Sequence, residues 1–340
     1  MTRTLAQTYR RFGEDATSPW YQRVSLALSE SPEALRAIET APARKRHPTV
    51  ILAALHDLAL SGRAPADDAV DTVLQRTDEV VAIAVRRPLR TGETGRATVL
   101  YPLIAEVAHR AGADAVGLLD FGCSAGFNLT VDRVGITYSK GEPLGDPASP
   151  VQVSASIVGD RPLPPRAIPE VVARIGLDTQ PLDMTDAADA RWLRACLPPD
   201  QPERIARLDA EIALTATVSP TLEQGDPVDL LPDALAQIPV DALPVVTTTW
   251  ALSRLSVERR RRFASHLAEA GRTVAWVSAE GVGVAPEVPT FGDRPASGHS
   301  ILGVALADGS GLRTEAVGRC WSRGRLLSWL ATGPLWTAAG

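Results

Sequence analysis

The residues best suited to chemistry in this chain are Asp120-Phe121-Gly122-Cys123-Ser124-Ala125-Gly126, directly after the apolar run Val116-Gly117-Leu118-Leu119. An acid at the end of a buried strand, followed by small residues at every second position, lets the backbone approach a ligand without side chains in the way. Such a junction offers open N–H donors and one fixed carboxylate to whatever lies above the sheet edge. The spacing is not G-x-G-x-x-G, and no G-x-x-x-x-G-K-[ST] occurs, so nicotinamide and P-loop readings fall behind. The plainer alternative is a strand, turn and helix that merely pack.

The elements that must position this turn follow from periodicity. Val116 to Leu119 suits a central parallel strand, and a helix is expected from near Ala125 through Leu129 towards Arg133. Upstream, the polar turn Arg90 to Arg96 feeds a helix from about Ala97 to Arg110 that ends before Gly112. Residues 132–169 are rich in proline and glycine and contain the alternating stretch Val151 to Ile157, an insertion of hairpin type at about 135–170. Ala173 to Asp178 is a candidate strand, while Val171 to Ile175 could equally be the last turn of a helix, with Asp178 or Asp183 as a cap. Pro220 to Asp226 is a short strand closing on Gly225-Asp226, where Asp226-Pro227 would equally open a turn or cap a helix. Pro244 to Trp250 is a β-branched central strand, Arg259 to Ala270 a helix and Thr273 to Ser278 a fifth strand. Ser300 to Leu306 and Arg313 to Cys320 flank Asp308-Gly309-Ser310-Gly311 as a hairpin. From Thr2 to about Arg86 the spacing is helical, broken at Ser18-Pro19, Ser31-Pro32 and His47-Pro48. The basic run Arg44-Lys45-Arg46-His47 reads as a solvated loop, with a phosphate contact as the functional alternative.

Leu118 to Gly126 resembles the first motif of the class I S-adenosylmethionine-dependent methyltransferases, hydrophobic-hydrophobic-acid-x-Gly-x-Gly-x-Gly, with Ser124 where that family usually has glycine. The whole chain, helical front included, also resembles a family of uncharacterised bacterial proteins with this core. The resemblance implies an α/β fold: a doubly wound Rossmann-like methyltransferase sheet, mostly parallel with a C-terminal antiparallel hairpin, preceded by an all-α segment. Residues 1–88 would form that helical segment, as lid or substrate side, and 89–340 the cofactor domain. S-adenosylmethionine would then lie on Asp120, Gly122, Ser124, Ala125, Gly126 and Asn128. Glu93 and Arg96 would meet its amino and carboxylate groups, since an arginine fork suits a carboxylate. The resemblance makes Asp178 the acceptor from the ribose hydroxyls, although it lies 58 residues after Asp120 where about 20 is usual. It makes Gly225 and Asp226 the adenine contact. In a doubly wound sheet the ends of the first and fourth strands meet at the crevice, which brings in Thr249, Trp250 and Ser253. Trp250 would stack on adenine or face the sulfonium, or serve as a core aromatic.

The expected function is methyl transfer to a small-molecule acceptor, with Glu93, Trp250 and Glu280 as catalytic candidates and His299 as a further base. Aminocarboxypropyl transfer, cyclisation of the cofactor, a non-catalytic binding module and a nucleotide-binding oxidoreductase are the alternatives. The Asn- or Asp-Pro-Pro-aromatic signature of amino-methylating relatives is missing after the fourth strand. At 340 residues, 45% hydrophobic and 22% charged, the chain builds a sizeable core. A formal charge of -5 argues against nucleic acid as the main partner. Three scattered cysteines suit neither a disulfide framework nor a zinc site, no metal is expected, and a cytoplasmic location without membrane attachment fits. The oligomeric state is left open.

Overall fold

The computed structural model describes residues 3–65, 68–90 and 94–331. Among them the helices are α1 (Leu5–Asp15), α2 (Pro19–Glu30), α3 (Pro32–Ile38), α4 (Pro48–Leu60), α5 (Ala69–Gln75), α6 (Thr77–Arg86), α7 (Ala97–Ala111), α8 (Ala187–Ala195), α9 (Pro202–Val218), α10 (Pro227–Ala236) and α11 (Val257–Ala268). The strands are β1 (Ala115–Phe121), β2 (Gly135–Tyr138), β3 (Leu144–Gly145), β4 (Gln152–Ile157), β5 (Glu170–Asp178), β6 (Thr221–Gln224), β7 (Leu243–Thr249), β8 (Val274–Gly281), β9 (Ser300–Asp308), β10 (Gly311–Trp321) and β11 (Leu326–Trp329). The chain divides into a helical unit, 1–93 with 184–212, and a sheet unit, 94–183 with 213–340.

In the helical unit each Ser-Pro pair starts a helix. Ser18 and Ser31 accept from the N–H groups of Tyr21 and Ala34, and proline occupies the first helical position, where its missing N–H costs nothing. The basic run is tied to backbone carbonyls: Lys45 donates to that of Arg87 after α6, and Arg46 to those of Ala41 and Glu39. Residues 184–212, assigned from sequence to the sheet domain, belong to this unit. Trp192 is fully buried and donates to the Pro88 carbonyl at 2.9 Å. Asp200 accepts from the Ser18 hydroxyl and the Trp20 N–H, each at 2.7 Å. A helical period shows that a segment packs on one side, but not on which neighbour.

The sheet unit holds one eleven-stranded sheet in the order β3-β2-β4-β11-β10-β9-β8-β7-β1-β5-β6. It is mostly parallel, with antiparallel pairing at β8/β9, β9/β10, β10/β11 and β2/β3. The parallel stretch β6-β5-β1-β7-β8 starts from β1 and builds outward in both directions, so the strand order reverses between β1 and β7. β1 reads as a continuous apolar run because both of its faces are covered. On one face α10 and α11 bury Val228, Leu231, Phe263 and Leu267 against Leu119, Phe121, Val246 and Trp276. Phe121, Phe263 and Trp276 form an edge-to-face series with centroids 5.1 and 5.2 Å apart.

The other face carries α7, which packs on β7, β8 and β9 and also on β4. Nearly all of its residues are buried, including Thr98, Glu106 and Arg110. The inserted segment explains this. Strands β2 and β4 join the far end of the sheet beside β11, and the Tyr138 hydroxyl donates to the Thr98 carbonyl at 2.8 Å. The insertion therefore extends the sheet around α7, and it leaves β5 free to pair with β1. Inside this wrapping Arg110 is held by Glu106 at 2.7 Å and by Glu315 at 2.6 Å. All three cysteines are buried thiols, and among the described residues no helix is long and apolar enough to cross a membrane.

Candidate functional site

The network at the strand reversal begins with Asp120, which is 0% exposed at the end of β1. Both of its oxygens accept from the Asn128 amide at 3.0 Å, and the Thr247 hydroxyl of β7 donates to Oδ1 at 2.7 Å. Burial raises the Asp120 carboxyl above its ordinary value, while the Asn128 and Thr247 bonds act in the opposite sense. The Asn128 amide also donates to the Thr249 hydroxyl at 3.1 Å, and that hydroxyl accepts in turn from Arg96 at 3.1 Å. The guanidinium of Arg96 lies 5.5 Å from the centroid of the Trp250 ring, and the Trp250 indole N–H donates to Ser300 at 2.8 Å. A continuous polar chain thus joins the start of α7 to the ends of β1 and β7 and the beginning of β9.

The turn after β1 adopts left-handed backbone at three alternating positions, Gly122 (φ 76°), Ser124 (φ 56°) and Gly126 (φ 76°). A serine in the middle of the series shows that the conformation is imposed by the surroundings. The N–H groups of Gly122 and Cys123 both donate to the Leu177 carbonyl of β5, and Ser124 donates to Asp178 at 3.0 Å. The Ser124 carbonyl accepts from Leu182 at 2.8 Å. The glycines face protein: a Cβ on Gly122 would meet the Ala251 methyl at 3.1 Å, and one on Gly126 would lie 3.4 Å from Pro220. The expected helix from Ala125 to Arg133 is instead a 3-10 turn over Phe127–Arg133. Gly126 enters it in the left-handed conformation, and Asn128 turns back onto Asp120 rather than outward from a helix surface.

Glu280, offered by the sequence as a base, is 1% exposed at the end of β8. Its Oε1 accepts from the N–H groups of Ala251 and Leu252 at 2.9 and 3.1 Å, which fixes the turn that carries Trp250 at φ 54°. Burial pushes its carboxyl up to about 7. Glu280 is thus buried, with Oε1 engaged by the turn after β7.

Six of the predicted residues, Arg96, Asp120, Asn128, Thr249, Trp250 and Glu280, thus converge. Gly122, Ser124, Ala125 and Gly126 form the adjoining loop, and Asp178 holds it through Ser124 while also accepting from Gln180 at 2.9 Å. Gly225 and Asp226 lie beyond β6. Gly225 packs toward Leu230, and Asp226 caps α10 by accepting from Val228 at 2.9 Å and pairs with Arg259. Glu93 lies outside the described residues. Sequence reading missed Thr247 and Ser300. Three successive threonines on a buried strand were the available signal, because a buried hydroxyl needs a partner. His299 has partners of its own: it meets Asp293 at 2.7 Å, and Asp293 takes a two-point contact from Arg319 at 2.6 and 2.9 Å.

A family model described as an uncharacterized protein conserved in bacteria (DUF2332) matches residues 6–329. The chain belongs to this family. In this DUF2332 chain the match runs from α1 to the end of β11, so the family pattern includes both the helical and the sheet unit. No curated protein matches the chain.

Proposed function

We propose that this DUF2332 chain is an S-adenosylmethionine-dependent transferase with a Rossmann-like methyltransferase core, acting by methyl transfer on a small-molecule acceptor. The observation that carries this reading is the junction after β1. A sealed acid is followed by three alternating left-handed residues, and the junction lies at the strand-order reversal, where open α/β sheets bind their ligands. When bound, the cofactor supplies a methyl group already activated on sulfur, so alignment is the protein's main task.

The chain's residues fit that task in part. Arg96 and Thr249 offer donors beside Trp250, whose aromatic face suits a cation. Asp178 sits at the end of β5 next to the loop it holds. Asp120 supports the loop from below, its carboxylate already engaged with Asn128 and Thr247. A second reading, binding without turnover, is favoured by the sealing of Glu280, which leaves no direct base at that position. Bound S-adenosylmethionine left unconverted by amine, hydroxyl and thiol acceptors would support the second reading.

The test of the main reading is a thermal-shift and calorimetric comparison of S-adenosylhomocysteine, S-adenosylmethionine and NAD. At 100 times its dissociation constant, S-adenosylhomocysteine should stabilise the protein by about 2.7 kcal/mol. No shift at millimolar concentration, or a shift with NAD alone, overturns the proposal.

A further inference from the structure

We propose that Glu280 makes this site selective for ligand charge, favouring a cation over a neutral molecule of the same shape; this rests on the reading that the site takes S-adenosylmethionine. The geometry of its two oxygens carries the argument. Oε1 is fixed by the N–H groups of Ala251 and Leu252, whereas Oε2 is buried without a hydrogen-bond partner. An ionised carboxylate with a bare buried oxygen is poorly compensated, and a nearby positive charge or a proton relieves it. Glu280 forms no ion pair among the described residues. The positive charges that act on it come from two packed elements: Arg96 ahead of α7, and Arg260 on α11. Arg96 is bonded to Thr249 and lies over Trp250. Arg260 is turned to the carbonyls of Leu252 and Ser253 at 2.9 and 3.4 Å.

A third cation brought to the Trp250 turn interacts with this carboxylate through low-dielectric protein, where charges act strongly without contact. Without the cation, and below about pH 7, Glu280 mostly keeps its proton. With it, the carboxyl O–H bond breaks, the electron pair remains on Glu280, and the proton leaves to solvent. A neutral ligand produces no such release. S-adenosylmethionine with its sulfonium and S-adenosylhomocysteine with its thioether are a matched pair, so the residue would separate substrate from product by charge.

Calorimetry of each ligand in buffers of different ionisation enthalpy reads the released proton directly. At pH 6.5 the ligands' own amino groups remain protonated, since an α-amino group titrates near 8. With burial holding Glu280 near 7, binding of S-adenosylmethionine to the wild-type protein should release up to roughly three quarters of a proton, and S-adenosylhomocysteine close to none. The ratio of their affinities should favour the cation several-fold more at pH 7.5 than at pH 6. Glu280→Gln should abolish both differences while still binding S-adenosylhomocysteine. Equal proton release for the two ligands in the wild-type protein overturns the inference whether or not the variant folds, as does a difference that persists in Glu280→Gln. If neither ligand binds, the cofactor reading fails and takes this inference with it.

Discussion

Asn128→Ala tests whether the Asp120 network holds the loop. The Asn128 amide nitrogen has two hydrogens and three acceptors, both oxygens of Asp120 at 3.0 Å and the Thr249 hydroxyl at 3.1 Å. Truncation leaves a fully buried carboxylate with the Thr247 hydroxyl as its remaining hydrogen-bond donor among the contacts described. A hydrogen bond to a charged group contributes about 1.5–3 kcal/mol, and Thr249 loses a weaker bond besides, so a loss of about 2–3 kcal/mol is expected at pH 8. For a unit of this size that is a fall of roughly 5–10 °C in melting temperature. The sign of the pH dependence follows from the raised Asp120 carboxyl. A group whose folded value lies above its unfolded value favours the fold at low pH, and that contribution is lost as pH rises through the folded value. Removing Asn128 raises the folded value further, because that bond favoured the ionised form. The variant should therefore approach wild type as the pH is lowered and Asp120 takes up a proton. Scanning calorimetry at pH 5, 6.5 and 8 measures it, with melting temperature as the readout because two units need not unfold as one. A deficit that grows as the pH is lowered would refute the linkage to Asp120, and a deficit under 1 °C would refute the network.

Gly122→Val and Gly126→Val should each lower stability by about 1–3 kcal/mol, because both positions have φ 76° and the new side chains would press on Ala251 and Pro220; an unchanged melting temperature would show that the loop accommodates them. Asp226→Ala should cost about 1 kcal/mol of apo stability through loss of the α10 cap, while calorimetry shows unchanged affinity for S-adenosylhomocysteine; a tenfold weaker affinity would give Asp226 a ligand role after all. Glu280→Gln should flatten the pH profile of stability. Burial sets the wild-type carboxyl near 7 against 4.5 when unfolded, so wild type loses on the order of 3 kcal/mol between those values as pH rises, and the variant should be the more stable of the two at pH 8. A variant less stable than wild type at pH 8 contradicts this.

β1, β7 and β8 were legible because burial on both faces writes them as apolar or β-branched runs, whereas β5 and β6, partly exposed at the edge, left Asp178 and Asp226 open between strand end and cap. The 3-10 turn after Gly126 was not legible, since Phe127 to Arg133 has an acceptable helical composition and the deciding contact, Asn128 on Asp120, forms only once the strand is buried. Glu280 shows the same limit. Its position at a strand end was visible, but whether it is open to a ligand or sealed behind Ala251 and Leu252 depends on how the neighbouring strand turns. Asp226 was ambiguous between cap and ligand contact, and the local pattern Asp-Pro at a helix start describes what it does in the fold.

The alternation of the chain between its two units bears on synthesis. Residues 184–212 carry Trp192 and Asp200, which complete the packing and capping of helices made from the first 93 residues. At about 5–20 residues per second on the ribosome, the N-terminal helices wait many seconds for those partners, with the apolar surface that Trp192 covers exposed in the meantime. The helical unit is thus encoded first and finished late, and a fragment ending at residue 93 should expose that surface as dye-binding, protease-sensitive helix, whereas one that also supplies 184–212 should not.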